Sequence, residues 1–299
     1  MPPHALHPRG IFSAAPTPLT ADYRPDHGLF LDHARRLLEA GCDGISLLGT
    51  TGEANSLSLP DRKALLEAVV AGGIAPGRLM PGTGMAALTD AVDLTRHALS
   101  LGVATVLMLP PFYYKAVTDE GLFAAYAEVI ERVADPRLRV VLYHYPQVSG
   151  VSLSHALIGR LRERYPAIVT GIKDSSGDFD NLTAMVERFP GLAVLTGADP
   201  LVLPLLRAGG AGGITAAANL VPGDLALIYR HHSDPAQAEA VAAAETRLVA
   251  AFERSRRFPQ IPTLKAILAG STGRADWNRL CPPLLALTEA ERAQIPPAG

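Results

Sequence analysis

Short apolar runs recur along the chain near residues 11–16, 43–48, 78–83, 103–109, 139–145, 168–173, 192–197 and 212–216, and most stretches between them carry helical periodicity. Within 30–38, Phe30, Ala34, Leu37 and Leu38 fall on one helical face, with Gly41 as the stop. Leu182, Met185, Val186 and Phe189 do the same later, with Asp178 near the start and Pro190 just past the end. The strand-like runs, such as Val103–Leu109, are continuously apolar and do not alternate, which fits burial on both faces of a parallel sheet. Eight evenly spaced runs with helices between them predict an α/β fold, a (β/α)8 TIM barrel, with a doubly wound open sheet as the alternative.

The pattern changes after the eighth run. Residues 235–258 are rich in Ala, Glu and Arg, and Thr288 with Glu291 forms a capping-box signature. The expected organisation is a barrel over residues 1–225 and a C-terminal helical extension over 226–299. Residues 209–229 are apolar for some length, but glycines, Pro222 and Asp224 interrupt them and argue against a membrane span.

Composition narrows the function. The chain has 299 residues, 48% hydrophobic and 19% charged, with a net charge of −2. This balance gives no electrostatic reason to expect nucleic acid or an anionic membrane as partner, so a small-molecule ligand is expected. Cys42 and Cys281 cannot form a zinc cluster by themselves and read as free thiols in a reducing compartment. The stretch Met1–Gly10 has three prolines and no apolar segment, which reads as neither leader nor anchor. A cytoplasmic location is the resulting expectation.

Candidate chemistry collects where the apolar runs end, the position at which barrel enzymes place their reacting groups. Lys173 is one of only four lysines among 27 basic residues, and it alone ends a strand-like run. Burying an amine strips hydration from its charged form and favours the neutral nucleophile that a Schiff base requires. The competing reading is a strand-end lysine paired with a carboxylate. Gly49-Thr50-Thr51-Gly52-Glu53 offers N–H groups and hydroxyls for a carboxylate, or is an ordinary turn. Tyr113-Tyr114, Tyr143-His144-Tyr145 and Thr196-Gly197-Ala198-Asp199 close other runs. One amine, several phenols and hydroxyls at one mouth suit carbonyl chemistry without a metal, the phenol moving protons.

Other signals are weaker. Gly82-Thr83-Gly84-Met85-Ala86-Ala87 loosely matches a dinucleotide fingerprint but lacks a suitably placed acid. Gly209-Gly210-Ala211-Gly212-Gly213 reads either as a phosphate cradle or as close backbone packing. His231-His232 reads as a solvated helix end, and no H-E-x-x-H, Walker loop or G-x-S-x-G is present. Neither a cofactor nor a metal is expected.

In order along residues 10–292, these segments resemble the family of dihydrodipicolinate synthase and N-acetylneuraminate lyase. The matching pieces are Gly49–Glu53, Pro111-Phe112-Tyr113-Tyr114, Tyr143-His144-Tyr145-Pro146, Gly171-Ile172-Lys173-Asp174, Gly213-Ile214 with Ala218-Asn219, and Pro282–Leu287. The resemblance implies a barrel with a helical C-terminal extension, a homotetramer or dimer, and pyruvate plus an aldehyde as substrates. It implies that Lys173 forms the Schiff base and Tyr143 transfers protons. Thr50 would link Tyr143 to a second tyrosine reaching in from a neighbouring subunit, a position that Tyr114 matches better than Tyr113. Thr50 and Thr51 would hold the pyruvate carboxylate, and Gly197 and Ile214 would line the site.

Departures from the family pattern limit the substrate. Synthases of the family carry an arginine in the loop after the catalytic tyrosine, where this chain has Val148. The neuraminate lyases carry a Glu where Pro200 stands and a serine where Ala216 stands. The expected activity is therefore a carbon–carbon lyase acting on a 2-oxo acid, such as a 2-keto-3-deoxy sugar acid or a hydroxy-oxo acid. The alternatives are 4-hydroxy-tetrahydrodipicolinate synthase, N-acetylneuraminate lyase, a 2-keto-3-deoxy acid dehydratase, a non-covalent phosphate-binding barrel enzyme and an idle binding protein.

Overall fold

The computed structural model describes residues 8–296. Residues 1–7, on which most of the leader reading rests, lie outside it. The elements run β1 (Gly10–Ala14), α1 (His27–Glu39), β2 (Gly44–Ser46), α2 (Leu59–Ala71), α3 (Leu88–Ser100), β3 (Thr105–Met108), α4 (Asp119–Val133), β4 (Arg139–His144), α5 (Pro146–Ser149), α6 (His155–Arg164), β5 (Val169–Asp174), α7 (Phe179–Arg188), β6 (Ala193–Thr196), α8 (Val202–Arg207), β7 (Gly212–Thr215), α9 (Pro222–His231), α10 (Ala238–Ser255), α11 (Gln260–Thr272) and α12 (Glu289–Arg292).

Seven parallel strands form one sheet in the order β2-β1-β7-β6-β5-β4-β3. The gap between β2 and β3 is spanned by the run read from sequence as the third strand. Met80 N donates to Ile45 O, Gly82 N to Leu47 O, and Thr83 N to Leu107 O, each at 2.9 Å. The run is a pair of isolated parallel bridges rather than a continuous strand. Pro81 has no N–H, so the ladder breaks at its centre. Eight rows therefore close a barrel, and the eight-strand expectation is corrected to seven strands plus this bridged segment.

Gly82 is required here: a Cβ at that position would lie 2.1 Å from Leu48 O, and one at Gly84 would lie 2.3 Å from Leu109 N. The glycines of the loose dinucleotide match thus let neighbouring backbones approach.

Alternation along each strand sorts the core into two shells. Phe12, Ala14, Val141, Tyr143, Leu195 and Ile214 fill the barrel interior, while Ile11, Val140, Leu142, Ile172 and Val194 pack outward on the helices. Asp26 caps α1 by accepting from Leu29 N at 3.0 Å, and Asp178 caps α7 by accepting from Asn181 N at 3.0 Å. Each such cap is worth about 1 kcal/mol. After α1 the chain turns through Gly41 at φ +111°, as the sequence predicts.

The extension leans over the C-terminal ends of the strands. α10 packs on α9 and on the Asp199–Leu201 turn. α11 is apolar nearly all round and buries Pro262 through Ala269, as an interior helix must. Leu264 and Leu268 meet Ala216 and Trp277 above β7. The boundary between residues 225 and 226 falls within α9, and the Thr288–Glu291 capping box is formed at α12. No helix among the described residues is long and apolar enough to cross a membrane.

Candidate active site

The register of β4 against β5 places Tyr143 opposite Lys173, and the strand pleat turns both into the barrel. Lys173 is only 6% exposed, and its Nζ lies 4.4 Å from the centroid of the Tyr143 ring. Tyr143 and Thr50 share a hydrogen bond between hydroxyls at 3.3 Å. The amine, the phenol and the threonine open into one cavity of about 580 Å³ at the C-terminal ends of the strands.

The turn after β2 is held from three sides. Thr17 Oγ1 donates to Gly52 O at 2.7 Å, and Glu53 N donates to Thr50 O at 3.1 Å. Glu53 has a left-handed backbone (φ 54°), and its carboxylate is fully buried against Lys265 of α11. Lys265 Nζ also donates to Arg279 O at 2.7 Å, and Cys281 N donates to the second Glu53 oxygen at 2.9 Å. Burial lowers the pKa of Lys265, and the facing Glu53 carboxylate works against that shift. Among the described residues the Thr50 and Thr51 N–H groups donate to no protein acceptor, and both residues face the cavity. The turn is thus a fixed surface with free donors, suited to a carboxylate.

Gly197 completes the floor. A Cβ there would lie 2.9 Å from Lys173 Cε and 1.9 Å from Ser175 Oγ, so the glycine leaves the room that the lysine chain occupies. Beneath it, Asp199 is buried and accepts from Ala217 N at 2.9 Å. Burial pushes its carboxyl up to about 6, while the Ala217 bond and the more distant Lys173 charge pull it down. Tyr145 stands 6.0 Å from Tyr143 between ring centroids, its phenol raised chiefly by burial.

Six of the seven predicted site residues, Lys173, Tyr143, Thr50, Thr51, Gly197 and Ile214, line this cavity. Tyr114 does not. It is 75% exposed and packs edge-to-face on Tyr113, outside its own chain's pocket. Val148 lines the cavity, and the loop after β4 brings no guanidinium to it. The Gly209–Gly213 run lies at the start of β7, the end of the barrel opposite Lys173. A Cβ at Gly212 would fall 2.1 Å from Gly10 O, so backbone packing accounts for the run and the phosphate reading is set aside.

Sequence reasoning missed the contribution of the extension: Phe252, Arg256, Gln260 and Leu284 also line the cavity. The only local signal was the Arg254-Ser255-Arg256-Arg257 cluster, which reads equally well as helix-end charge.

A sequence profile of the Dihydrodipicolinate synthetase family matches residues 7–297. An uncharacterised DapA-like lyase of Chloroflexus aurantiacus is 36% identical over 292 residues, covering 96% of this chain and 95% of that protein. The crystal structure of dihydrodipicolinate synthase from Agrobacterium tumefaciens superposes with a TM-score of 0.86 at 34% identity, covering 96% of each chain. YagE of E. coli K12, a prophage protein of the dihydrodipicolinic acid synthase family crystallised with pyruvate, gives 0.87 at 26% identity, again over 96% of each chain. Matches over nearly the full length, on a barrel whose mouth carries this lysine, phenol and threonine turn, lead to one conclusion: the chain belongs to the dihydrodipicolinate synthetase family of lyases.

Proposed function

We propose that the protein is a pyruvate-releasing carbon–carbon lyase that works through a Schiff base on Lys173. The observation that carries the reading is the buried Lys173 amine on the Tyr143 ring, with the Tyr143 hydroxyl bonded to Thr50. The Lys173 amine adds to the C2 carbonyl of a 4-hydroxy-2-oxo acid, and loss of water gives an iminium. The C3–C4 bond then breaks, its electron pair entering the iminium to form an enamine. The C4 hydroxyl proton passes to the Tyr143–Thr50 pair, and the C4 carbon leaves as an aldehyde. Protonation at C3 and hydrolysis return pyruvate and the free amine.

In this reading the Thr50 and Thr51 N–H groups hold the 2-oxo acid carboxylate, and Gly197 and Ile214 shape the floor. A 2-keto-3-deoxy sugar acid or a hydroxy-oxo acid suits the hydroxyl-rich mouth. Val148 in the loop after β4 speaks against condensation with aspartate semialdehyde. The exposure of Tyr113 and Tyr114, at 73% and 75%, supports an assembly in which this aromatic pair reaches a neighbouring subunit.

Incubation with pyruvate and borohydride tests the proposal. A reduced adduct on the Lys173 peptide, absent from Lys173→Ala, is expected. An unmodified wild-type protein, or equal labelling of the variant, would overturn it.

A further inference from the structure

The side chains around the cavity are unevenly charged. Arg256 brings a guanidinium charge and Lys173 an amine, and no Asp or Glu among the described residues lines it. Lys173 is committed to chemistry at the floor in the reading above, on which this inference rests. Arg256 follows the end of α10, at the outer wall, and is brought there by the extension.

Several surface arginines among the described residues have carboxylate partners, such as Arg132 with Glu128, Arg137 with Asp135, Arg160 with Glu120 and Arg247 with Asp224. Arg256 has neither an ion pair nor a side-chain hydrogen bond among the described residues. Its guanidinium Cζ rests 5.1 Å from the Phe252 ring centroid. Stacking of this kind holds the planar fork while leaving its N–H donors free. The charge is near enough to lower the Tyr145 phenol against the upward push of burial.

We propose that Arg256 is the specificity-determining residue for the far end of the substrate, and that it binds a second carboxylate. The substrate class is then a hydroxylated 2-oxo diacid. Its 2-oxo carboxylate lies at the Thr50–Thr51 turn, its reacting carbons lie over Lys173, and its distal carboxylate takes the Arg256 fork. Ser175, Ser176 and Gln260 also line the cavity and offer neutral hydrogen-bonding groups for hydroxyls. A distal carboxylate suits a single planar fork, which two parallel N–H···O bonds can saturate. A distal phosphate, with more charge and a third oxygen, would leave acceptors unmatched by the one cation here.

The test compares 4-hydroxy-2-oxohexanoate with 4-hydroxy-2-oxohexanedioate, and 2-keto-3-deoxygluconate with its 6-phosphate, by pyruvate release. Wild type, Arg256→Ala, Arg256→Lys and the exposed neighbour variant Arg257→Ala are assayed, with pyruvate–borohydride trapping alongside. Wild type is expected to prefer the diacid. Arg256→Ala should lower kcat/KM for the diacid about 10- to 100-fold, mainly through KM, since charge-assisted bonds of this type carry that much. The same variant should lower the mono-acid kcat/KM far less than that of the diacid, and trapping at Lys173 should persist. Arg256→Lys should recover part of the loss, and Arg257→Ala should match wild type.

Equal effects of Arg256→Ala on mono-acid and diacid, no effect on either, or a wild-type preference for the phosphate would overturn the assignment while trapping persists. Absence of trapping in wild type would instead remove the Schiff-base reading on which it stands.

Discussion

Replacing Asp199 by Asn should make the protein more stable at neutral pH and should flatten its stability profile in mild acid. Asp199 is buried beneath the Gly197–Ala198 turn, and burial raises its carboxyl from 3.8 to about 6. Below pH 3.8 the group is protonated in both the folded and unfolded chain and carries no charge penalty. Between about 4 and 6 the unfolded chain gives up the proton first, so the favourable contribution of the neutral carboxyl is lost as pH rises through the folded value. A shift of roughly 2 pKa units at 1.36 kcal/mol each gives a cost of roughly 3 kcal/mol at pH 7 and above.

Asparagine keeps an oxygen that can accept from Ala217 N and removes the charge. Urea midpoints measured from pH 4 to pH 8 are the assay. The variant and wild type should coincide near pH 4, and the variant should gain up to roughly 3 kcal/mol by pH 7, most of the change falling between pH 4 and 6. A difference independent of pH, or a wild type more stable than the variant at pH 8, would refute the reasoning.

Two further outcomes follow from the same physics. Lys265→Met leaves the Glu53 carboxylate buried without its cation and should cost about 3–5 kcal/mol in urea unfolding, whereas Glu53→Gln combined with Lys265→Met should recover much of that; a single variant within 1 kcal/mol of wild type, by the same scale, would count against the pairing. Gly197→Ala puts a methyl 2.9 Å from both Lys173 Cε and Ser175 Cβ, and should lower the rate of pyruvate–borohydride trapping about tenfold or more while the fold persists; unchanged trapping, read by mass spectrometry, would show that the floor has slack.

Much of the architecture was legible from residues close together in the chain. Continuous apolar runs marked the strands because both faces of each are buried, and Asp178 and Thr288 marked helix starts because their caps are satisfied within one turn. The segment at 78–83 misled because its apolar character is that of a strand, whereas Pro81 lacks the donor a strand needs. The position of Tyr114 within a familiar motif likewise said nothing about where its own chain turns it.

Lys173 at a strand end, Tyr143 at the end of the preceding strand and the threonine turn after β2 were determined by the sequence alone, since strand period and turn chemistry fix which side chains reach the mouth. Tertiary structure alone decided that Glu53 meets Lys265 across 212 residues, that Asp199 is buried near the floor, and that Arg256 of the extension lines the same cavity as Lys173. Local periodicity constrains neighbours in the chain. It is silent on which distant surfaces pack together, and those packings set the burial of these charges and the charge of the mouth.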